Sequence, residues 1–566
     1  MTVFLGIVLY GFFALKYPYH LHFQEQYQLF ESTWSYFARV AWLPGGLSDW
    51  LGRLVTQFFY YAPLGAFLMA VLLCGIQLLT FAIGPEKNLF SYAVSFVPSF
   101  LLAAFFCDEN ALVGGIVAIL IALAGVALSQ LVRKNVARHI LEAVLVPFLY
   151  WACGGLAVVF ILVTAIREGK RLGTKAVPVL LAMVVLAVLC PLVARYIYPY
   201  PLERLAYGIH YFRYHNMVPA LLWLSALSVV LAAVLSSFRF FRKNWLPGLG
   251  AWVLASAFGI ILMLRMADFS KEEWMRYDFM VRMEMWNRIM MSADRRNPDN
   301  PKTVSCLNLA LAMTGRMPDS QFSYFQNGPE GLLPSFVGDY TNPVSTSEIY
   351  WHLGMVNTAQ RYVFEAQEAI PDFQKSARCY KRLAETNIVN GDWPIARKYL
   401  KALQHARFYK KWASETLALL DSGDIFERRP ELEKARDFRL TEHDFMFSET
   451  EMDSMLGLLH VEHPSNSMAL DYLMAWSLLR KDLDRFVEFI SLVHAPAMPK
   501  AYQEALLLRW VLTHEDFNGL PPYLSPVHAQ RISRFIADYQ ARRPEAQMRK
   551  EYGDTYWFYY YYRYHS

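Results

Sequence analysis

Residues 61–83 read YAPLGAFLMAVLLCGIQLLTFAI, a run without a charged side chain. A helix needs roughly 20 apolar residues to cross a hydrocarbon core about 30 Å thick. Inside that core every backbone N–H and C=O group must be bonded within its own segment, and a helix achieves this. The run is therefore predicted to be a membrane-spanning helix.

Similar uncharged runs fill the first half of the chain. The first, at 2–15, is short, but the side chain of Lys16 can extend its ammonium group to the interface. Further spans are predicted at 89–107, 111–132, 143–166, 176–194, 217–238 and 245–264. Together with 61–83, these runs predict a bundle of about eight transmembrane helices.

The charged residues are distributed unevenly along the chain. Residues 1–266 contain 18 Lys and Arg and 9 Asp and Glu, whereas residues 267–566 contain 36 and 40. This increase in the number of charged residues predicts a membrane bundle at 1–266 and a charge-dense soluble domain at 267–566. The basic residues of the first part lie in short loops, which indicates the lipid bilayer and not nucleic acid as the partner. Loops on both sides of an eight-helix bundle are basic, so they select no orientation.

The first loop, at 18–60, is too long for a tight connection. Its aromatic spacing predicts an amphipathic helix over 24–40, a break at LPGGL (43–47) and a second helix from Ser48 to Phe59. Glu25 lies just after the first span, and Asp108 and Glu109 follow the third. Because two spans separate these loops, the three carboxylates are expected on one face of the membrane.

This order of a span, an acidic residue and two interfacial helices resembles the GT-C superfamily, the membrane glycosyltransferases that use polyprenyl-linked sugars. The resemblance implies that Glu25 acts as acid or base and that Asp108 or Glu109 assists it. It also implies a divalent metal ion on the leaving phosphate. The alternative interpretation is that these carboxylates are solvated and cap helices.

The second half has a helical pattern with repeats. Small and apolar side chains at 380–403, with Gly391-Asp392 at the turn, match the tetratricopeptide pattern, and weaker matches occur before and after. One helical pair cannot bury its own apolar face, so the pattern predicts an all-α fold that ends in a tetratricopeptide-like helical solenoid. Its groove is a candidate site for a protein partner, lined by Asn357, Arg361 and Asn387. Alternatively, Asn357 and Asn387 satisfy backbone groups between helices.

Several stretches resemble a family of uncharacterised Bacteroidota membrane proteins. They are LNLALA at 307–312, GMVNTAQR at 354–361, YKRLAETN at 380–387, and PGGL at 44–47 before QFFYY at 57–61. The likeness covers nearly the whole chain and implies a multi-pass protein of the bacterial inner membrane, but it supplies no reaction.

Two functions follow from these patterns. One is a GT-C-like transferase that uses a polyprenyl-linked sugar in envelope glycan assembly. The other is a non-enzymatic, membrane-anchored scaffold for envelope assembly or export. A transporter is disfavoured, because the spans carry almost no ionisable side chain beyond their ends.

Overall fold

The computed structural model describes residues 1–214, 217–237, 245–441, 451–494, 496–514 and 519–563. Within these ranges the chain is all-helical, as predicted, and the only strand-like pairing is one bridge between Ala111 and Phe212. The chain forms two compact units. The first contains Met1–Glu272, Ile370–Tyr380 and Leu400–Glu415, and the second contains Glu273–Ala369, Lys381–Tyr399 and Thr416–Ser566. The first unit thus includes two segments from the charge-dense part of the chain.

The helices of residues 1–266 follow one another with short connections. In chain order they are α1 (Thr2–Gly11), α2 (Pro18–Gln26), α3 (Trp34–Ala41), α4 (Gly46–Thr56), α5 (Ala62–Ile83), α6 (Leu89–Val94), α7 (Phe96–Phe106), α8 (Val113–Leu131), α9 (Asn135–Cys153), α10 (Val158–Leu172), α11 (Val177–Ile197), α12 (Leu202–Tyr207), α13 (Ala220–Leu235) and α14 (Trp245–Met266).

Several helical stretches are long and apolar enough to cross a membrane. There are five in the described part of the chain: Ala62–Ile83, Leu89–Phe106, Val113–Leu131, Asn135–Ile197 and Leu246–Met266. The stretch Thr2–Lys16 and α2, bent by 75° relative to each other, would be a sixth candidate if the pair forms one span, and α13 is a shorter apolar helix. These lengths and this composition indicate membrane association, because water does not tolerate so much exposed apolar helix surface.

The stretch from α9 to α11 reverses direction at a glycine. Gly154 has a φ of +61°, a value that glycine adopts without steric strain. Arg138, near the start of α9, places its Nη2 atom 2.8 Å from Oε2 of Glu168, near the end of α10. These two helices are therefore antiparallel, and the run predicted as one helix over 143–166 is interrupted at Gly154.

The prediction of one continuous helix over 24–40 is wrong for the middle of that range. The backbone between α2 and α3 is irregular, with the N–H of Leu29 donating to the carbonyl of Lys375 at 2.8 Å and that of Ser32 to His405 at 2.9 Å. Because these distant segments satisfy the backbone groups, the chain need not form a helix there. Tertiary pairing overrides the local pattern.

The second helix predicted in the first loop does form, as α4. It begins at Gly46, after Gly45 with a φ of +79°, and not at Ser48. A Cβ atom at Gly52 would lie 2.4 Å from the backbone nitrogen of Gly114. Hence α4 packs backbone against backbone on α8, and only glycine permits that approach.

The rest of the chain is a series of shorter helices. They are α15 (Phe269–Arg282), α16 (Trp286–Arg295), α17 (Pro301–Met313), α18 (Met317–Ser320), α19 (Asn342–Leu353), α20 (Val356–Glu368), α21 (Ala377–Asn390), α22 (Trp393–Gln404), α23 (Lys410–Ser422), α24 (Ile425–Arg428), α25 (Pro430–Phe438), α26 (Met452–Glu462), α27 (Ser467–Leu479), α28 (Leu483–Phe489), α29 (Lys500–Thr513), α30 (Pro526–Gln540), α31 (Glu545–Tyr552) and α32 (Tyr556–Tyr562). Gly354 and Gly391, both with positive φ, form the turns after α19 and α21. The tetratricopeptide assignment stays a prediction.

The aromatic helix α32 is packed into the second unit. Its first four side chains are buried, and the indole N–H of Trp557 donates to the carbonyl of Glu504 at 2.7 Å. The backbone N–H of Tyr556 donates to the Glu504 carboxylate at 2.8 Å. Burial raises the pKa of Glu504 to about 7, from an ordinary value of 4.5.

The stability of this packing is expected to depend on pH through Glu504. The native state holds the proton more tightly than the unfolded chain, so the stabilisation is complete below pH 4.5 and disappears as the pH rises through 7. We expect the unfolding free energy to fall by up to about 3 kcal/mol over that window. Thermal unfolding in detergent from pH 5 to 8 measures the slope of the unfolding free energy against pH, and Glu504→Gln should flatten that slope. An unchanged slope in the variant would remove Glu504 as its cause.

Candidate functional site

Helix α2 is short and polar, yet it is buried. Its His20, Gln24, Glu25 and Gln26 side chains are all nearly inaccessible, with Glu25 only 4% exposed. A buried polar group without a hydrogen-bond partner costs about 1–3 kcal/mol, so the partners of these side chains define the site. We call these four residues, with the groups that bond to them, the α2 polar cluster.

The first turn of α2 is held by a carboxylate that follows α14 in the chain. The backbone N–H groups of Tyr19 and His20 donate to the two oxygens of Glu272, at 2.7 and 2.9 Å. A negative charge there stabilises the exposed N–H groups and the positive end of the helix dipole. The ring of His20 stacks on Tyr17 and meets Phe106 edge-on. This end of α2 is therefore firmly positioned.

Gln24 joins three parts of the first unit. Its amide N–H donates to the carbonyl of Glu109 at 2.7 Å, and its oxygen accepts from the guanidinium of Arg213 at 3.0 Å. Arg213 is buried and lies over the ring of Tyr27. The residue before Glu25 is thus bonded to the loop that carries Asp108 and Glu109.

The carboxylate of Glu25 accepts a hydrogen bond from the hydroxyl of Tyr409 at 2.9 Å. Tyr409 belongs to the segment 400–415, whose Phe408 stacks on Tyr60 with ring centroids 5.0 Å apart. Next to it, Gln26 accepts from Arg378 of the segment 370–380 at 3.0 Å. Two segments far along the chain therefore complete the cluster around Glu25.

The other two predicted carboxylates differ in their surroundings. Oδ1 of Asp108 accepts from the backbone N–H of Asn110 at 2.8 Å, and burial raises the pKa of Asp108. Glu109 forms an ion pair with Lys271. A raised pKa favours the protonated form, so Asp108 holds a proton more readily than an ordinary aspartate does.

These carboxylates do not fit the metal ion that the GT-C resemblance implies. Among the described residues, a group of three potential ligand atoms within 4.8 Å of one another occurs at His139, Glu142 and Glu168, and not at the α2 polar cluster. Ligand oxygens on one divalent cation must approach each other at least that closely. No step in the proposal below is therefore routed through a metal.

A second buried charge cluster lies in the same unit. Arg53 forms a two-point ion pair with Asp49 at 2.9 and 2.8 Å, and Nη2 of Arg204 lies 2.6 Å from both oxygens of Asp372. Nδ1 of His210 is 3.9 Å from Asp49 and 4.0 Å from Asp372. Burial lowers the pKa of His210, so its ring is neutral at pH 7. The sequence did not single out these residues.

The predicted partner-binding residues have different environments. Asn357 is exposed and accepts from Asn390 at 2.7 Å, and Arg361, also exposed, pairs with the carboxylate one turn further along α20. Asn387 is buried and donates to the carbonyl of Leu383 at 2.6 Å. This bond lies within α21 itself and not between helices, so both roles given to Asn387 above stay predictions.

Sequence reasoning missed Arg213, Glu272 and Tyr409. No spacing links them to Glu25, from which Tyr409 is separated by 384 positions. Arg213 precedes the run at 217–238 and Glu272 follows the run at 245–264, so the only signal was their place near the ends of spans on one face.

Comparison with known proteins gives one match. A family model described as a family of unknown function (DUF6057) matches residues 1–563. No curated protein and no solved structure matches the chain. The match extends through both units and includes every residue of the α2 polar cluster.

Proposed function

Because this chain belongs to a family of unknown function (DUF6057), we propose its function from the site: a GT-C-like membrane transferase that uses a polyprenyl-linked sugar in envelope glycan assembly. The observation that carries the proposal is the α2 polar cluster. It holds a buried carboxylate, Glu25, just beyond the first apolar helix and beside the loop after α7. Buried charge at such a position is expensive and indicates function.

The helix directions support nine membrane passes in place of eight. With α9 and α10 antiparallel, we count the stretch Asn135–Ile197 as three passes, one each for α9, α10 and α11, and the other six as α1, α5, α6–α7, α8, α13 and α14. The first loop and the turn at Gly154 then share a face, in agreement with the Gly45 N–H donating to the carbonyl of Trp151 at 2.8 Å. An odd number of passes also puts the chain after α14 on the face of Glu25, which agrees with the Tyr409 contact.

The charges of the loops support one orientation. With nine passes, the short loops on the face opposite Glu25 contain Lys87, Arg133, Lys134, Lys170, Arg171 and Lys175, with Glu86 as the acidic residue among them. Further basic residues at 239, 242 and 243 of the sequence lie outside the described residues. The loops on the face of Glu25 contain fewer, namely Arg39, Arg53, Arg204 and Arg213. An excess of Lys and Arg in short loops marks the cytoplasmic side. The proposed active face is therefore extracytoplasmic, in a bacterial inner membrane.

The proposed reaction needs a base at Glu25. The acceptor hydroxyl oxygen bonds to the anomeric carbon while the bond from that carbon to the phosphate oxygen breaks, and polyprenyl phosphate leaves. The hydroxyl proton passes to the Glu25 carboxylate, and Asp108, with its raised pKa, assists. Arg213 is a positioning residue, because it holds Gln24 next to Glu25. Access to Glu25 requires that Tyr409 moves aside.

One observation favours the alternative, a non-enzymatic scaffold for envelope assembly or export. Glu25 is almost inaccessible, and its bond to Tyr409 also serves to anchor the segment 400–415. On that reading the charge of Glu25 is unimportant, because any hydrogen-bond acceptor of the same shape holds the tyrosine. The two functions thus differ in what they require of one carboxylate.

The proposed topology is tested by thiol labelling of spheroplasts with a membrane-impermeant maleimide. Ser35→Cys in the first loop and Lys411→Cys in the segment 400–415 should both be labelled from outside. Thr174→Cys, in the turn before α11, should react only after permeabilisation. The parent chain is the control, since four of its six cysteines are buried. Labelling of position 174 from outside, or of 35 and 411 on different sides, would contradict the transferase proposal.

A further inference from the structure

A pocket of about 500 Å³ lies in the first unit, next to the short helix α12. It is formed by the segment around α12 and the start of α13, and two of its lining residues, Phe212 and Tyr214, flank Arg213 of the α2 polar cluster. Small-molecule sites typically have volumes of roughly 300–1,000 Å³. The side chains that decide its chemistry are four aromatic and two charged ones: Tyr200, Tyr207, Tyr214, Trp223, Glu203 and Arg204.

The aromatic rings of the pocket offer accessible surface. Tyr207 is 52% exposed and Tyr214 is 38% exposed, and Tyr207 meets Trp223 edge-on with ring centroids 6.2 Å apart. A pyranose ring presents a face of C–H bonds, and such a face packs on an aromatic ring because the ring face carries partial negative charge. The pocket therefore has the surface that a sugar ring requires.

The charged residues of the pocket supply hydrogen-bonding groups beside these rings. Arg204 is anchored by Asp372, and its guanidinium carbon lies 4.6 Å from the ring centroid of Tyr200. Its Nε–H is buried and has no hydrogen-bond partner among the described residues. Glu203 is exposed and accepts hydrogen bonds only. A sugar hydroxyl both donates and accepts, so it can bond to either group.

The opposite side of α12 is apolar. Leu202 and Ala206, one turn apart, line a second cavity of about 350 Å³ whose other walls come from α9, α10 and α11. An apolar cavity among membrane helices accommodates a lipid chain, and the two cavities share one short helix. This proximity favours a sugar that is attached to a lipid over a free sugar. If these aromatic residues only anchored the chain at the membrane interface, the charged side chains beside them would not be needed.

We propose that the pocket beside α12 binds the saccharide part of a glycolipid. The inference deepens the proposed function and rests on it for the identity of the ligand as a lipid-linked sugar. Tyr207 and Trp223 provide the stacking surface, and Arg204 and Glu203 bond to the hydroxyls.

Saturation-transfer NMR on the full chain in lipid nanodiscs tests this proposal. The probes are methyl β-glucoside, methyl α-mannoside and methyl β-N-acetylglucosaminide, used singly. At least one should receive magnetisation on its ring protons. Trp223→Ala and Tyr207→Ala should each weaken its binding by about three- to tenfold, the usual worth of an aromatic contact. Tyr207→Phe keeps the ring and should bind as the parent does.

The matched control is Tyr196→Ala, because Tyr196 is 92% exposed and lies outside the pocket. It should leave probe binding unchanged. Absence of transfer to all three probes, or equal loss in the control, would overturn the proposal. Glu25→Gln should bind the probe normally. If that variant also keeps full function while Trp223→Ala loses the probe, the transferase proposal fails and the sugar pocket stands.

Discussion

Glu25→Gln is expected to reproduce the phenotype of a deletion strain while the protein accumulates to its normal level. Gln has the shape of Glu and its amide oxygen still accepts the hydrogen bond from Tyr409, so the fold should survive. It cannot take the acceptor proton, and loss of a general base lowers rates by about 10²–10⁴-fold. Mass spectrometry of envelope lipids measures the result, as accumulation of one polyprenyl-linked sugar in both strains.

Two matched variants separate catalysis from anchoring at Glu25. Tyr409→Phe removes the hydrogen bond and leaves the carboxylate, so the transferase proposal expects it to retain function, whereas an anchoring role expects a loss. Glu31→Gln alters a carboxylate of the same loop that pairs with Lys375 at 2.8 Å and should be tolerated. Normal envelope lipids in the Glu25→Gln strain would eliminate the catalytic role and leave the scaffold.

Arg138→Met is expected to be the most destabilising single change in the helical bundle. The Arg138 guanidinium is 2% exposed and lies 2.8 Å from Glu168 and 3.7 Å from Glu142, both buried. Its removal leaves these two buried carboxylates with the His139 ring, 3.3 Å from Glu168, as their nearest basic group, and breaking such a pair costs about 3–5 kcal/mol. The melting temperature in detergent should fall by several degrees or the protein should fail to accumulate.

A compensated variant identifies the cause of that loss. Arg138→Met combined with Glu142→Gln and Glu168→Gln removes all three charges with little change in volume, so most of the stability should return. Recovery of stability would show that the unpaired buried carboxylates, and not lost packing, destabilise the single variant. A single variant that melts like the parent would instead show that the ion pair between α9 and α10 contributes nothing.

The helix positions in the bundle were largely predictable from the sequence. The run at 61–83 became Ala62–Ile83, and the run at 111–132 became Val113–Leu131. Both follow from a local rule, since a long uncharged segment has one stable backbone conformation in hydrocarbon. The rule does not specify where a chain turns, and so the reversal at Gly154 was missed.

The site was only partly predictable, because its partners are remote in sequence. Glu25 is recognisable as an acidic residue beyond the first span. Tyr409 and Arg378, which complete its surroundings, lie in the part whose charge density predicts a soluble domain. The extended backbone at Leu29 exists because Lys375 accepts its hydrogen bond. A pattern read along one segment contains no information about such a partner.

The amino-acid sequence by itself determined the all-helical class and the apolar stretches suited to a membrane, because both depend on how each segment is solvated. The tertiary structure alone decided which side chains meet Glu25 and which helices reverse, because these depend on long-range packing and on backbone groups bonded across the fold.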